Sequence, residues 1–195
     1  RQFIDNASQL KFIARAGAGM ENIELEYALS KKIICLNAPE GNRNAVAEHA
    51  MGMLLALFNR LVIADAEVRA GIWLREENRG VELEGKTVSI IGFGNTGSTF
   101  VKKLSSFNCR ILAYDPFIKI NNEEFPYVEQ VEMDEIFKNS DVLSLHVPLT
   151  KLTQNLVNAE YINQFEKPFY FINTSRGKVV SINDLSNALA LKKIS

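Results

Sequence analysis

The sequence has little of what would indicate a disulfide-linked, metal-binding or nucleic-acid-binding protein. It contains only two cysteines, Cys35 and Cys109, and only two histidines. The cysteines are far apart and form no C-x-x-C or cysteine–histidine spacing, so we expect unpaired thiols in a reducing compartment, the cytoplasm, and no metal site. The 22 lysines and arginines nearly balance the 23 aspartates and glutamates. This balance leaves no excess of positive charge that would draw nucleic acid or an anionic membrane surface.

Long apolar runs are also missing. The apolar run over residues 51–58 is far too short to cross a bilayer, and no charged-then-apolar signal opens the chain. We therefore expect no membrane partner. With 47% apolar and 23% charged residues, the chain has the composition of an ordinary globular protein with a substantial core. It opens at Arg1 rather than at a methionine and stops shortly after a helix-like segment, so we expect a piece of a longer protein.

The most informative segment runs from Thr87 to Asp115. Its pattern predicts a buried strand over Thr87–Ile91, a glycine turn, an amphipathic helix over about residues 96–107, and a second strand over Arg110–Tyr114 that ends in an acid. A strand, a turn, a helix and a strand ending in an acid are the parts of a dinucleotide-binding unit.

The glycine turn G-x-G-x-x-G counts as evidence because of its position between strand and helix. Gly92 follows the strand and can take the tight turn, Gly94 has no side chain where a pyrophosphate must come close, and Gly97 lets the helix pack on the strand. The helix N-terminus offers unpaired N–H groups and a partial positive charge. A diphosphate can therefore be held there without a lysine.

Asp115 indicates which dinucleotide is bound. It ends the second strand, where a carboxylate can accept hydrogen bonds from the adenosine ribose hydroxyls. The same charge would repel a 2′-phosphate, and the next residues, Pro116 and Phe117, supply no arginine to receive one. The sequence therefore favours NAD over NADP.

The same alternation of strands and helices extends in both directions. Upstream, residues 11–16 and 33–36 are predicted strands joined by a glycine turn and a helix within residues 21–32, while residues 1–10 fit a short helix or a loop equally well. Downstream, residues 141–147 and 169–173 are apolar runs typical of strands buried on both faces of a parallel sheet. Helices are predicted at 133–139 and 158–165, and Ser181-x-x-Asp184 has the capping-box pattern that opens a last helix.

These elements predict an α/β protein of two parts. Residues 42–195 would form a doubly wound parallel sheet of the Rossmann type, and residues 1–41 would be part of a second, smaller flavodoxin-like α/β domain. The loop at residues 37–42 carries Pro and Gly and is placed as the hinge.

Residues 44–80 are predicted as two helices, 44–60 and 62–70, followed by an arm with Trp73 and the polar residues 75–80. A tryptophan on an arm is either a subunit contact or a cap on its own domain, and the sequence leaves both open.

Three further turns follow predicted strands, where ligands of open α/β sheets bind. Together with the glycine turn they resemble the D-2-hydroxyacid dehydrogenase family. The matching runs are R-A-G-A-G-M-E-N-I (residues 15–23), N-A-P-E-G-N (37–42), V-A-E-H (46–49), G-F-G-N-T-G (92–97), H-V-P-L-T (146–150) and N-T-S-R-G (173–177).

The resemblance implies a role for each matching position. Arg176 corresponds to the catalytic arginine, which also contacts the cofactor. A planar guanidinium there can hold a 2-hydroxy acid through its carboxylate and its C2 oxygen. The implied substrate contacts are Arg15, Ala16, Gly17 and Asn42, with the backbone N–H groups of Ala16 and Gly17 holding the carboxylate. The implied cofactor contacts are Ala18, Gly92, Gly94, Asn95, Thr96, Gly97, Asp115, His146, Val147, Pro148, Thr174 and Ser175.

Neither histidine fits an acid–base role. His49 stands in a largely apolar helix and His146 at a strand end, so both are interpreted as structural histidines with satisfied hydrogen bonds. In the family the proton-relay histidine and its glutamate come later in the chain, in segments that this sequence does not contain. We therefore expect this chain by itself to turn over poorly or not at all.

The family resemblance implies NAD-dependent interconversion of a D-2-hydroxy acid and a 2-oxo acid, with 3-phospho-D-glycerate and 3-phosphohydroxypyruvate of serine biosynthesis as the expected pair. A reductase acting on glyoxylate or hydroxypyruvate remains open, as does a non-catalytic, NAD-sensing dimeric binding protein. The resemblance also implies a homodimer formed through the nucleotide domain.

Overall fold

The computed structural model describes all 195 residues, and strands alternate with helices along almost the whole chain. The seven strands are β1 Phe12–Arg15, β2 Ile34–Asn37, β3 Thr87–Ile91, β4 Arg110–Tyr114, β5 Val128–Gln130, β6 Val142–Leu145 and β7 Tyr170–Asn173. The eight α-helices are α1 Gln2–Asn6, α2 Leu25–Ser30, α3 Arg43–Phe58, α4 Leu61–Arg69, α5 Asn95–Leu104, α6 Met133–Asn139, α7 Ala159–Asn163 and α8 Ile182–Ala190. A short 3-10 helix covers Gly177–Val179.

The larger sheet is doubly wound, as the sequence predicts. Its five parallel strands lie in the order β5-β4-β3-β6-β7, so the chain builds outward from β3 in one direction and then in the other. The order reverses between β3 and β6, and the carboxyl ends of these two strands open a crevice there. The edge strand β5 is missing from the prediction because its three residues, Val-Glu-Gln, are too few to show a period.

Helices cover both faces of this sheet, which explains its continuous apolar strands. All five residues of β3 are buried. On one face α3 and α5 supply Leu54, Phe58 and Phe100 to a cluster that includes Val88. On the other face α6, α7 and α8 close a second cluster. Because both faces of the strands are covered by apolar side chains, the alternation of apolar and polar residues that marks a half-exposed strand is absent.

The smaller sheet holds only β1 and β2, which pair in parallel with Phe12 opposite Ile34. The helix between them begins at Leu25, not near residue 21, because the residues after the glycine turn form further turns. Residues 1–10, which the sequence left undecided, contain the short helix α1. Ile4, Ala28 and Ile33 form the small buried cluster that this part contributes.

The capping-box interpretation of the last helix is wrong. Helix α8 begins at Ile182, directly after Ser181, but no side chain caps it. The Asp184 carboxylate instead accepts a hydrogen bond from the backbone N–H of Ala159, at 3.1 Å. This acid therefore joins the first turns of α7 and α8, a contact between distant segments that the local pattern cannot reveal.

Helices α3 and α4 form an exposed apolar surface with the arm that follows them. They meet at a 62° bend, and only as a bent pair do they reach the length and hydropathy of a membrane span; no single helix does. Helix α4 buries none of its residues. Trp73 is 78% exposed, so the interpretation that it caps its own domain is wrong. The apolar surface comprises Leu57, Leu61, Val62, Ile63, Val68, Ile72 and Trp73.

Candidate cofactor and substrate crevice

The predicted site residues converge on one crevice of about 510 Å³ at the carboxyl ends of the strands. Its walls are the turn after β1, the N-terminus of α5 and the turns after β6 and β7. Fourteen of the predicted residues line it: Arg15, Ala16, Gly17, Ala18, Asn42, Gly94, Asn95, Thr96, His146, Val147, Pro148, Thr174, Ser175 and Arg176. The sequence reading missed four further lining residues, Gly19, Glu21, Pro39 and Val46.

The three glycines of the turn differ in what surrounds them. Gly92 has φ +92°, and a Cβ there would lie 2.6 Å from the His146 carbonyl oxygen. A Cβ on Gly97 would overlap the Gly92 carbonyl oxygen, so α5 can approach β3 only without a side chain at this position. A Cβ on Gly94 would meet nothing within 4 Å. Gly92 and Gly97 are thus required by packing, whereas Gly94 leaves open space at the mouth of the crevice.

Asp115 lies outside the crevice, in a neighbouring hollow that also contains Phe117 and Lys119. Its Oδ2 accepts from the Phe93 N–H at 2.8 Å, and its Oδ1 accepts from the N–H groups of Phe117 at 2.8 Å and Ile118 at 3.1 Å. The carboxylate therefore fixes the glycine turn to its own loop. Lys119 lies in the same hollow, so a cation is present there although Pro116 and Phe117 supply no arginine.

One hydrogen bond joins the turns after β6 and β7, and two more order the turn after β7. The Val147 N–H donates to the Ser175 hydroxyl at 2.9 Å. The Asn173 side chain accepts from the Ser175 N–H at 2.9 Å and donates to the Arg176 carbonyl oxygen at 3.1 Å. The backbone that carries Arg176 is thereby held in a defined position at the crevice edge.

The Arg176 guanidinium is paired with an acid from the smaller sheet. Its Nε donates to the Glu21 Oε1 at 2.8 Å, and its Nη1 donates to the Ser175 carbonyl oxygen at 2.8 Å. Arg15 lies on the other side of the same carboxylate, with its Nη1 3.6 Å from Oε2. A backbone hydrogen bond and then the two guanidinium groups hold the pKa of the Glu21 carboxyl below its usual range. The available sequence signal for Glu21 was its position just after the turn that carries the predicted substrate contacts.

In the turn after β1, one backbone N–H group already has a hydrogen-bond partner within the turn. The Gly17 N–H donates to the Arg15 carbonyl oxygen at 3.0 Å, so a carboxylate would have to share that N–H or displace the bond. The Asn37 side-chain amide, at the end of β2, donates a hydrogen bond to the Ala18 carbonyl oxygen at 2.7 Å. This bond links the turn to β2.

The surroundings of the two histidines differ from those predicted from the sequence. His49 is exposed on α3 and lines a hollow beside Arg176, so its interpretation as a satisfied structural histidine is wrong. His146 is buried, with its Nε2 2.9 Å from the Ser144 hydroxyl, but its Nδ1 has no partner. Burial lowers the pKa of His146 from 6.5 to about 4, which keeps the ring neutral near pH 7 and unsuited to donating a proton.

The buried state of His146 predicts an acid-sensitive fold. Because the pKa is about 4 in the folded chain and near 6.5 when unfolded, the unfolded state binds more protons between these values. The contribution of His146 to the free energy of unfolding should therefore be constant above about pH 7 and fall by roughly 2 kcal/mol between pH 7 and pH 5. Urea unfolding at pH 7 and at pH 5 measures this fall in the free energy of unfolding. In His146→Gln the histidine-dependent part of the fall should vanish; an equal fall in both chains would contradict the assignment.

The crevice fits a dinucleotide by the chemistry of its walls. The first N–H groups of α5 have no intrahelical partner, and Gly94 precedes them without a capping side chain. The His146 Nδ1 and the Thr174 hydroxyl are buried without hydrogen-bond partners, and both residues line the crevice. No three His, Cys, Asp or Glu side chains lie close enough together to hold a metal ion. The unpartnered groups are thus suited to a polar organic ligand with a diphosphate.

Comparison with known proteins agrees with this geometry. Residues 51–195 match the model of the D-isomer specific 2-hydroxyacid dehydrogenase, NAD binding domain. The chain therefore belongs to the D-2-hydroxyacid dehydrogenase family, and these residues form its NAD-binding domain. The fold and the recognised family are those predicted from the sequence.

Individual relatives differ in the substrate that their names give. The chain is 38% identical to the D-3-phosphoglycerate dehydrogenase of Methanocaldococcus jannaschii, covering 100% of this chain and 37% of that protein. It is also 38% identical to the hydroxypyruvate reductase of Thermotoga maritima, covering 98% of this chain and 61% of that one. A crystal structure of Aquifex aeolicus D-lactate dehydrogenase complexed with NAD and lactic acid superposes with TM-score 0.91 at 32% identity, covering 100% of this chain and 58% of that one. The chain thus spans between about a third and three fifths of these relatives.

Proposed function

We propose that this chain supplies the NAD site and the catalytic arginine of a dehydrogenase that interconverts a D-2-hydroxy acid and a 2-oxo acid in the cytoplasm. The observation that carries the proposal is the position of Arg176, which lies in one crevice with the glycine turn of the NAD-binding domain and with Arg15. Bound NAD would exchange a hydride with C2 of the substrate. The residues of the chain bind and orient the two molecules.

The chemistry of the crevice walls indicates which residues bind the cofactor and which bind the substrate. The α5 N-terminus and the open space at Gly94 suit the pyrophosphate, and Asp115 suits the adenosine ribose. Arg176 can donate in parallel to a carboxylate oxygen and to the C2 oxygen. A cation beside the C2 oxygen stabilises the negative charge that develops there as hydride arrives. Arg15 and Asn42 lie at the substrate side of the same crevice.

For the substrate, we propose 3-phospho-D-glycerate and 3-phosphohydroxypyruvate. The likeness to the Methanocaldococcus jannaschii enzyme, which extends over the whole chain, supports this choice. The Thermotoga maritima enzyme at equal identity supports hydroxypyruvate as the second candidate. The two candidates differ by one phosphate group, which provides a simple experimental separation.

Binding of 2-oxo acids by the NADH-loaded chain, measured by calorimetry, tests the proposal. Wild type should bind 3-phosphohydroxypyruvate more tightly than hydroxypyruvate or glyoxylate. Arg176→Ala should weaken binding by about 10- to 100-fold, because a charge-assisted, paired hydrogen bond is lost. Arg69→Ala is the matched control, since Arg69 is an exposed arginine on α4 whose partner is Asp65. Equal binding by wild type and Arg176→Ala would contradict the proposed role, and a preference for hydroxypyruvate would select the second candidate.

Turnover by this chain should be slow or absent even where binding succeeds. Arg176 can bind and polarise a substrate but carries no transferable proton at neutral pH. His146 is buried and neutral, and the Glu21 carboxylate is paired with Arg176. A proton relay would have to come from outside these groups.

We further propose a homodimer formed through the apolar surface of residues 44–80. The exposed apolar side chains defined above all lie on α3, α4 and the arm, and Leu57, Val62 and Ile63 also line a hollow there with Met53. Surfaces of this kind on a water-exposed face commonly mark subunit contacts.

Replacing Trp73 with alanine and deleting residues 75–80 should shift the chain toward monomer. An exposed aromatic anchor contributes about 2 kcal/mol or more to an interface of this kind, so the dissociation constant should rise at least tenfold. Sedimentation velocity over a concentration series measures the shift. Phe117→Ala is a matched control, because Phe117 is 83% exposed but lies beside Asp115. A monomeric wild type, or an unchanged variant, would contradict the dimer surface.

A further inference from the structure

The Glu21 carboxylate lies between the two arginines that face the substrate side of the crevice. Its Oε1 accepts from Arg176 Nε at 2.8 Å, and its Oε2 is 3.6 Å from Arg15 Nη1. The three side chains are only partly exposed, at 41% for Arg176, 37% for Arg15 and 31% for Glu21. A carboxylate between two guanidinium groups has the surroundings that a bound 2-oxo acid would need.

The contact joins two parts of the chain that are 155 residues apart in sequence. Arg15 and Glu21 flank the turn after β1 in the smaller sheet, and Arg176 follows β7 in the larger one. Gly19 makes room for the pair, because a Cβ at this position would overlap both the Arg176 Nη2 and the Glu21 carboxylate. Arg15 is held in the same cluster by a hydrogen bond from its Nη1 to the Gly19 carbonyl oxygen.

We propose that Glu21 is an internal competitor of the substrate: its carboxylate occupies the anion site formed by Arg15 and Arg176, and an incoming 2-oxo acid must displace it. The anion site itself follows from the positions of the two arginines. Only the identification of the incoming anion as a 2-oxo acid rests on the proposed function.

The charges determine what the displacement achieves. Two guanidinium groups and one carboxylate leave a net charge of +1 in the cluster, so the site keeps an attraction for a second anion. The Arg176 Nε is engaged by Glu21 and its Nη1 by Ser175. A substrate carboxylate that pairs with Nε and Nη2 of Arg176 must therefore take the place of the Glu21 oxygen at Nε. Glu21 thus reduces the affinity of the site for anions that cannot make that paired contact, and raises its selectivity for carboxylates.

Titration of the chain with oxalate, with and without NADH, tests the competition. Glu21→Gln keeps the size of the side chain and removes its charge, so oxalate should bind about three- to fivefold more tightly than in wild type. Glu21→Asp keeps the charge but shortens the reach, and should lie between the two. Glu24→Gln is the matched control, because the Glu24 carboxylate pairs with Arg1, at 2.6 Å, and not with Arg15 or Arg176.

A double variant separates competition from a general charge effect. In an Arg176→Ala background, Glu21→Gln should give no gain in oxalate affinity if Glu21 acts by occupying Arg176. Unchanged or weaker oxalate binding in Glu21→Gln would overturn the proposal, and would mean that Glu21 positions Arg176 for its ligand. Absence of oxalate binding in every variant would overturn it as well. NADH binding by wild type reports separately on the dehydrogenase proposal, because the oxalate series without NADH does not depend on it.

Discussion

Replacing Gly97 with alanine should strongly destabilise the chain, whereas replacing Gly94 with alanine should leave it folded and weaken its binding of NADH. A Cβ at position 97 would overlap the Gly92 carbonyl oxygen, and backbone cannot move aside as a flexible side chain can. We expect a loss of about 3 kcal/mol in the free energy of unfolding, at the upper end of overpacking effects. At position 94 the added methyl group meets nothing within 4 Å.

Gly94→Ala should lower the affinity for NADH and not the stability of the fold. The methyl group would stand in the open space before the α5 N-terminus, where the pyrophosphate must approach the backbone N–H groups. Stability should change by less than about 1 kcal/mol, as for other exchanges at a helix N-cap. NADH affinity should fall at least tenfold.

Urea unfolding and NADH fluorescence titration, done on both variants, read out the two effects. The variants are matched because each adds one methyl group to the same turn, three residues apart. A stable Gly97→Ala chain would contradict the packing described for β3 and α5. A Gly94→Ala chain that binds NADH as wild type does would place the pyrophosphate elsewhere.

Asp115→Asn should reduce NADH affinity by about tenfold or more and narrow the difference between NADH and NADPH. The exchange keeps one oxygen as an acceptor but removes the charge, so the hydrogen bonds from the ribose hydroxyls lose their charge assistance. The repulsion of a 2′-phosphate is lost at the same time. Lys119, in the same hollow, would then be free to attract that phosphate.

Glu132→Gln serves as the control, because this exposed acid lines the same hollow but makes no hydrogen bond to the glycine turn. Urea unfolding must accompany the titration, since Asp115 also accepts three backbone N–H bonds and the variant will lose some stability. An unchanged ratio of the two affinities in Asp115→Asn would show that another group selects the cofactor.

The sequence predicted best where local pattern and burial agree. β3, β4 and α6 occupy the predicted residues, because apolar runs bounded by turns and a short amphipathic repeat are decided within the segment itself. The misses depend on distant partners. Asp184 has the right spacing for a capping box, yet its carboxylate bonds Ala159 on another helix.

In the site, too, local motifs predicted the positions of residues but not their contacts with distant partners. Parallel topology brings the turns after β3, β6 and β7 to the carboxyl edge of the larger sheet, so motifs at strand ends predicted much of the lining of the crevice. Glu21 stands just after the turn that follows β1, but its pairing with Arg176 could not be predicted, because the packing of the two sheets brings these two residues together. The buried, unpartnered Nδ1 of His146 was hidden for the same reason: a histidine at a strand end gives no sign of how its ring is surrounded.

Titration of the chain with NADH and with NADPH tests the proposed function most directly, because the roles proposed for Gly94, Asp115 and Arg176 in the dehydrogenase reaction require that the chain binds this cofactor. We expect saturable binding of NADH with clearly weaker binding of NADPH, and an NADH affinity that is at least tenfold lower in Gly94→Ala while the fold is kept. Absence of saturable binding of either nucleotide by the folded chain would contradict the account.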